Sequence, residues 1–168
     1  MTTYDIRKRL GDRHEEHVAE ALRTRGWRVA PYGMGTQRPI HRAMIHASGS
    51  PLRFEPDLMI SPENAPQRVQ LIDCKAQFNT AENYLAVNEE CVRAQLTFMA
   101  ATQLPIWYVF SDLSVSTPNE VLAFGRKSAP APGGSWHFRI PRLLNREFDS
   151  IFGAVPFEQL RLAEPLAA

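Results

Sequence analysis

Between Asp5 and Arg25 the apolar residues Leu10, Val18, Ala19 and Leu22 recur at helical spacing, and Gly26 is placed to end that helix. Trp27 to Ala30 then reads as a short strand. From Pro31 to Arg53 the pattern dissolves into Gly, Pro, His, Arg and Ser, which predicts a long loop of the kind that often serves function. Strands resume at Phe54 to Ile60 and, after a turn over Ser61 to Gln67, at Val69 to Ala76. Tyr84 to Thr102 holds no Pro or Gly and reads as one helix, with Val87, Cys91, Leu96, Phe98 and Met99 as its apolar set. Pro105 stops it, and Ile106 to Phe110 is a continuous apolar strand of the buried sort. Val121 to Phe124 and Trp136 to Ile140 are candidate strands around the loop Ser128 to Gly134, and Pro156 to Ala168 is a short helix or a loose tail. The order predicts a mixed α/β fold, a central sheet flanked by helices. One domain is expected over residues 1–168, with its core over 5–112 and an extension over 113–168.

Composition narrows the class without naming a function. Hydrophobic residues make up 44% and charged residues 22%, as in an ordinary globular protein. No apolar run approaches the roughly 20 residues of a membrane span. Met1 to Arg9 is polar and lacks the apolar core of a signal peptide. Cys74 and Cys91 are too few for a disulfide scaffold or a structural zinc site, and they suit a reducing cytoplasm. His14 and His17 lie three apart on a helix, but no Cys or acid completes a zinc set. The formal net charge is +1, so any face for nucleic acid must come from clustering rather than bulk charge. Three clusters qualify: Arg7, Lys8, Arg9 and Arg13; Arg38 and Arg42 with His41, His46 and Arg53; and Arg139, Arg142 and Arg146. Contacts of this kind place DNA without reading its sequence.

Chemistry concentrates in Glu55-Pro56-Asp57 and Asp73-Cys74-Lys75. Side chains alternate along a strand, so Asp73 and Lys75 share one face and Ile72 and Cys74 the other. A charged pair on an otherwise apolar strand is costly unless its members are paired or bind metal. Two facing carboxylates repel, and a divalent cation removes the conflict; Mg²⁺ takes oxygen ligands from one or two carboxylates, waters and phosphate. A third acid lies on the first helix. Relative to Glu15, Val18, Ala19 and Leu22 fall at about −60°, +40° and −20°, which centres Glu15 on the apolar stripe. Carboxylates and a lysine around a metal are what phosphodiester hydrolysis requires. Tyr84 and Gln95 are possible accessory residues.

This order of helix glutamate, Pro-Asp and Asp-x-Lys resembles the PD-(D/E)xK nuclease superfamily. Gly11, Glu15 and the pair Gly26-Trp27 are similar in placement to the archaeal-type Holliday junction resolvases and related phage nucleases. So is the second half, with Asn88 to Ala101 leading to Leu104-Pro105-Ile106-Trp107-Tyr108-Val109-Phe110; the likeness runs from about Gly11 to Asp112. It implies a restriction-endonuclease-like core, with Glu15, Asp57, Asp73 and the Cys74 carbonyl as metal ligands and Lys75 as the catalytic lysine. It implies an Mg²⁺ cofactor, with Mn²⁺ able to substitute, and DNA as partner, branched DNA included. A junction resolvase cuts two strands symmetrically and needs a homodimer, for which the exposed face of Phe148 to Phe157 is a candidate interface. Against these stand two alternatives: a restriction- or repair-type nuclease of the same fold, and a non-catalytic DNA-binding or assembly protein that keeps it. The resemblance has departures too. Asp-x-Lys stands where the resolvases more often have Glu-x-Lys, and Met99 stands where exonuclease-like members carry a tyrosine four residues after the glutamine.

Overall fold

A computed structural model of the chain describes residues 3–76, 83–129 and 134–153. The first helix, α1 (Thr3–Arg23), buries Val18, Ala19 and Leu22 along one side. The chain then turns through Gly26, whose φ of +80° is a left-handed conformation that glycine adopts without steric cost. It enters β1 (Trp27–Pro31), which pairs antiparallel with β2 (Leu58–Pro62); β2 in turn pairs antiparallel with β3 (Gln70–Lys75). β3 runs parallel to β5 (Ile106–Phe110), with Asp73 opposite Tyr108 and Lys75 opposite Phe110. The short β6 (Val115–Ser116) closes the order β1-β2-β3-β5-β6.

Parallel neighbours need a crossover, since no tight turn can join them. Here β4 (Tyr84–Asn88) and α3 (Glu89–Thr102) supply it. β4 does not join the central sheet; it pairs with β8 (His137–Pro141), which pairs with β7 (Arg126–Ser128), forming a second sheet of three strands. Two further helices, α4 (Pro118–Phe124) and α5 (Phe148–Phe152), complete the described chain.

The central sheet separates two apolar cores. One gathers Val18, Leu22, Trp27, Ile60, Ile72, Val109 and Phe152; the other Leu85, Val87, Val92, Phe110, Val121, Phe138 and Ile140. Each large side chain fully buried in this way is worth about 1.5–3 kcal/mol. Trp27 and Phe152 add an edge-to-face ring contact, and the indole N–H donates to the Phe152 carbonyl at 3.0 Å, so the polar corner of the tryptophan is also satisfied.

The mixed α/β architecture and the elements α1, β1, β3, β5 and β8 match the expectation. Four expectations change. Pro31 to Arg53 is not all loop: it holds a 3₁₀ turn (Gly33–Thr36), a ten-residue helix α2 (Pro39–Ser48) and a second 3₁₀ turn (Pro51–Phe54). The second strand starts at Leu58, because Pro51–Phe54 is already spent on that turn. The helix expected from Tyr84 starts only at Glu89; Tyr84–Asn88 alternates in burial as a strand, and the Asn88 side chain then accepts from the Glu90 and Cys91 N–H groups to cap α3. Val121 to Phe124 is helical, held by a reciprocal Thr117–Glu120 capping box with Pro118 in the first turn.

The loop expected over Ser128 to Gly134 lies partly outside the described residues, and the tail Pro156 to Ala168 wholly so. In the candidate interface segment, Phe148 and Phe152 are buried in the core of their own chain, and Asp149 and Ser150 face outward.

Candidate active site

β3 delivers two chemistries to its two sides. Ile72 and Cys74 pack into the α1 core, while Asp73 and Lys75 point toward α3. Asp73 is only 6% exposed. Its Oδ2 accepts from Lys75 Nζ at 2.7 Å, from Gln95 Nε2, and from the Cys91 thiol at 3.6 Å. The same Gln95 amide donates to the Phe54 carbonyl at 2.8 Å, so it ties β3 to the segment that leads into Pro56-Asp57. Gln95 Oε1 is buried with no hydrogen-bond partner among the described residues.

Lys75 Nζ also donates to Cys91 Sγ at 3.3 Å and lies 5.1 Å from the centre of the Tyr108 ring. Burial works to lower the lysine pKa, but Asp73, Cys91 and Asp57 outweigh it and hold the ammonium well above its ordinary value. Lys75 is therefore a fixed cation.

Asp57 stands just before β2. Its backbone N–H donates to the Ile72 carbonyl at 2.8 Å, and its carboxylate accepts the Cys74 N–H at 2.7 Å, which clamps the two motifs together. Burial pushes the Asp57 carboxyl well above its ordinary range, and the charges of Asp73 and Glu15 push the same way; Lys75 and the Cys74 N–H oppose them. Glu15 is half-buried on α1, and its carboxyl is raised by burial, then by Asp12 and, further off, by Asp73. Asp57 and Asp73 thus stand at one end of β3 with Lys75, and the charge of Glu15 acts on the Asp57 carboxyl from α1.

The remaining sequence candidates divide. Cys74 packs its thiol into the core, where burial raises its pKa well above the ordinary thiol value. Tyr84 opens β4 in the second sheet, 44% exposed, and adds no hydrogen bond to the cluster among the described residues. Gln95 is fully part of it. Arg7, Lys8, Arg9 and Arg13 lie exposed on α1, with Lys8 paired to Asp12 at 2.7 Å. Arg38 is exposed ahead of α2, and Arg42 is half-buried on it. In the third basic cluster Arg142 pairs with Asp112 and Arg146 with Glu120, so their charge is spent within the chain. His14 is buried with Nε2 2.9 Å from the Val109 carbonyl oxygen, and burial lowers its pKa; it is a satisfied core histidine, while His17 is exposed.

Two members of the cluster were not foreseen, Cys91 and Tyr108. Cys91 had the signature of an ordinary apolar helix position. Only the placement of α3 over β3 brings it to Lys75, and only the β3–β5 register sets Tyr108 opposite Asp73.

Among the described residues, no group of three or more His, Cys, Asp or Glu side chains is already arranged to hold a metal ion. In donor chemistry, however, the cluster fits a hard divalent cation: its acids are oxygen ligands, and at Asp57 the charges of Asp73 and Glu15 oppose ionisation while Lys75 favours it.

The fold is restriction-endonuclease-like, a mixed sheet flanked by helices. No protein-family model matches the chain, and no curated protein matches it in sequence. Among solved structures it is similar to Hjc, a Holliday junction resolvase from the archaeal hyperthermophile Archaeoglobus fulgidus, determined at 1.6 Å resolution. The TM-score is 0.54 at 14% identity, over 86% of this chain and 97% of that one. At that identity the likeness is one of fold. No helix among the described residues is long and apolar enough to cross a membrane.

Proposed function

We propose that this chain is a metal-dependent DNA endonuclease that hydrolyses phosphodiester bonds, with branched DNA as the substrate to test first. One observation carries the reading: Asp57, Asp73 and Lys75 converge at one end of β3, with Glu15 beside them, in a PD-(D/E)xK-like fold. Glu15, Asp57, Asp73 and the Cys74 carbonyl would hold Mg²⁺, or Mn²⁺ in its place. When bound, such an ion supplies a polarised phosphate oxygen and an acidified water.

The rest falls to the chain itself. Lys75, held protonated, is suited to orient a water through an N–H and to stabilise negative charge on the phosphorus oxygens; it is not suited to abstract a proton. Gln95 and Cys91 fix the rotamers of Asp73 and Lys75. The expected products carry a 5′-phosphate and a 3′-hydroxyl, as the resemblance implies. A junction-resolving version acts as a homodimer, so that two strands are cut symmetrically.

The test is a digestion panel of four-way junctions, flaps, linear duplex and single strands, with Mg²⁺, Mn²⁺ or EDTA. Cleavage should need the metal and should vanish in Asp73→Asn and Lys75→Ala. Equal cutting of every substrate would remove the resolvase reading. No metal-dependent cutting by the wild-type protein would leave a DNA-binding or assembly protein of the same fold.

A further inference from the structure

α2 is amphipathic in the reverse sense. At about 100° per residue Ile40, Ala43, Met44 and Ala47 share one face, and all four are exposed, Ile40 by 63% and Met44 by 64%. Ile45 and Arg42, on the other side, are half-buried, and α2 buries no residue fully. The helix is nonetheless well defined in its local chemistry: Pro39 starts it, and Gly49, with φ +66°, ends it.

Its attachments lead straight to the acidic cluster. The Tyr32 N–H donates to the Asp57 carbonyl at 2.7 Å. Gly33, at φ +61°, lies so close to Pro56 that a side chain there would strike the Pro56 carbonyl oxygen and reach Glu55 Cβ at 3.0 Å. On the return path Ser50 caps the turn Pro51–Phe54, and the Phe54 carbonyl takes the Gln95 amide that also holds Asp73. The whole excursion is thus fastened at both ends beside the proposed site.

Charge decides what the exposed ridge meets. Of the six arginines between Ala21 and Phe54, Arg23 pairs with Glu20, Arg25 with Asp149 and Arg53 with Glu90, and the stretch holds no Asp or Glu. Glu90, on α3, is already paired with Arg53 at 2.5 Å. Arg38 and Arg42 make no ion pair among the described residues. A second copy docked on this ridge would bring no carboxylate from its own helix to meet Arg38. DNA answers both halves of the surface, with phosphates for the arginines and the flat faces of an opened base step for Ile40 and Met44. Given DNA as the substrate, an assumption shared with the reading above, we infer that α2 is a wedge. Ile40 and Met44 enter a weakened base step, and Arg38 holds a flanking phosphate. This gives the insertion a role in selecting DNA whose stacking is already interrupted, as at a branch point.

The experiment is run in EDTA, so that cleavage does not intervene. Wild-type protein is titrated onto a four-way junction and onto a linear duplex, each with 2-aminopurine at a central step. Junction fluorescence should rise on binding. The Ile40→Ser/Met44→Ser pair should lose that rise and bind the junction about tenfold more weakly, on the scale of one unstacked step. Its linear-duplex binding and thermal transition should stay at wild-type values. Ile40→Leu/Met44→Leu should keep the rise, and Arg38→Gln should weaken both DNAs alike and lower the salt slope by about one. A serine pair that keeps the full rise overturns the inference, and so does a wild type that unstacks no DNA. A wild-type dimer that the serine pair splits into monomers also overturns it, by giving the ridge to a second copy. Unstacking by a protein that cuts nothing with Mg²⁺ would sink the nuclease reading and support the wedge.

Discussion

Ile72 and Asp73 are neighbours on one strand, 0% and 6% exposed, and they meet opposite surroundings. Ile72 enters a core of Val18, Leu22, Trp27 and Phe152, where packing alone stabilises the fold. Asp73 enters a pocket that must be balanced charge by charge through Lys75, Gln95 and Cys91. Hydrophobic burial tolerates losses in proportion to the area exposed, whereas a buried charge network fails steeply when one partner leaves. One side of β3 therefore holds the sheet together, and the other carries a buried ionic cluster.

The largest effect should come from breaking the charged side. Lys75→Ala leaves Asp73 buried without its counter-charge; it should abolish cleavage, by about 10³-fold or more, and cost roughly 3–5 kcal/mol. Single-turnover digestion and urea unfolding read the two losses separately. On the apolar side, Ile72→Ala should cost about 2–5 kcal/mol by denaturant titration. Activity should persist wherever the variant remains folded, because the Ile72 side chain packs into the α1 core and its bond to Asp57 is made by a backbone carbonyl that alanine keeps.

A smaller effect of opposite sign is expected at Asp57. Its carboxyl is raised in the folded state, so its ionisation destabilises the metal-free protein. That penalty is absent below the ordinary value of 3.8, grows as pH rises above it, and is complete once pH passes the folded-state value. Asp57→Asn keeps an oxygen for the Cys74 N–H, and in EDTA near pH 8 it should stabilise the protein. The gain should fade as pH falls toward 4; melting curves across that range check the sign. Least affected should be the thiols. Cys91 is buried with its pKa pushed up to about 12, so a thiol reagent at pH 8 should label it only after unfolding.

How much of this could be read in advance depends on whether a residue's pattern and its surroundings agree. In α1 and β5, apolar spacing and burial coincide, and both were legible. The pairing of Asp73 with Lys75 was legible for the same reason, since alternation along a strand needs no knowledge of its neighbours. α2 was missed because its apolar residues face solvent, so its periodicity points at no core. β4 was absorbed into α3 because a run without Pro or Gly carries no punctuation; Asn88 was the one mark available. α4 contradicts the strand expected from the apolar run at Val121, and Thr117, Pro118 and Glu120 spell its helix start. Glu15 reads as the centre of the buried stripe and is half-buried there, while His14, one position earlier, is buried against Val109. Cys91 and Tyr108 depend on how α3 and β5 cross β3, a fact of tertiary structure that no local pattern contains.

The bond from Tyr32 to Asp57 extends the antiparallel ladder of β1 and β2 by one step beyond the Pro31–Leu58 pair. In topological terms β1 and β2 are the arms of an ordinary hairpin, and α2 with its flanking turns is a module spliced into the hairpin's bend. Closing a shorter bend changes chain entropy only slowly with length. The module is therefore a natural unit of exchange: a compact turn between Tyr32 and Asp57 would leave the strand register intact and remove, with the module, the Phe54 carbonyl that takes the Gln95 amide.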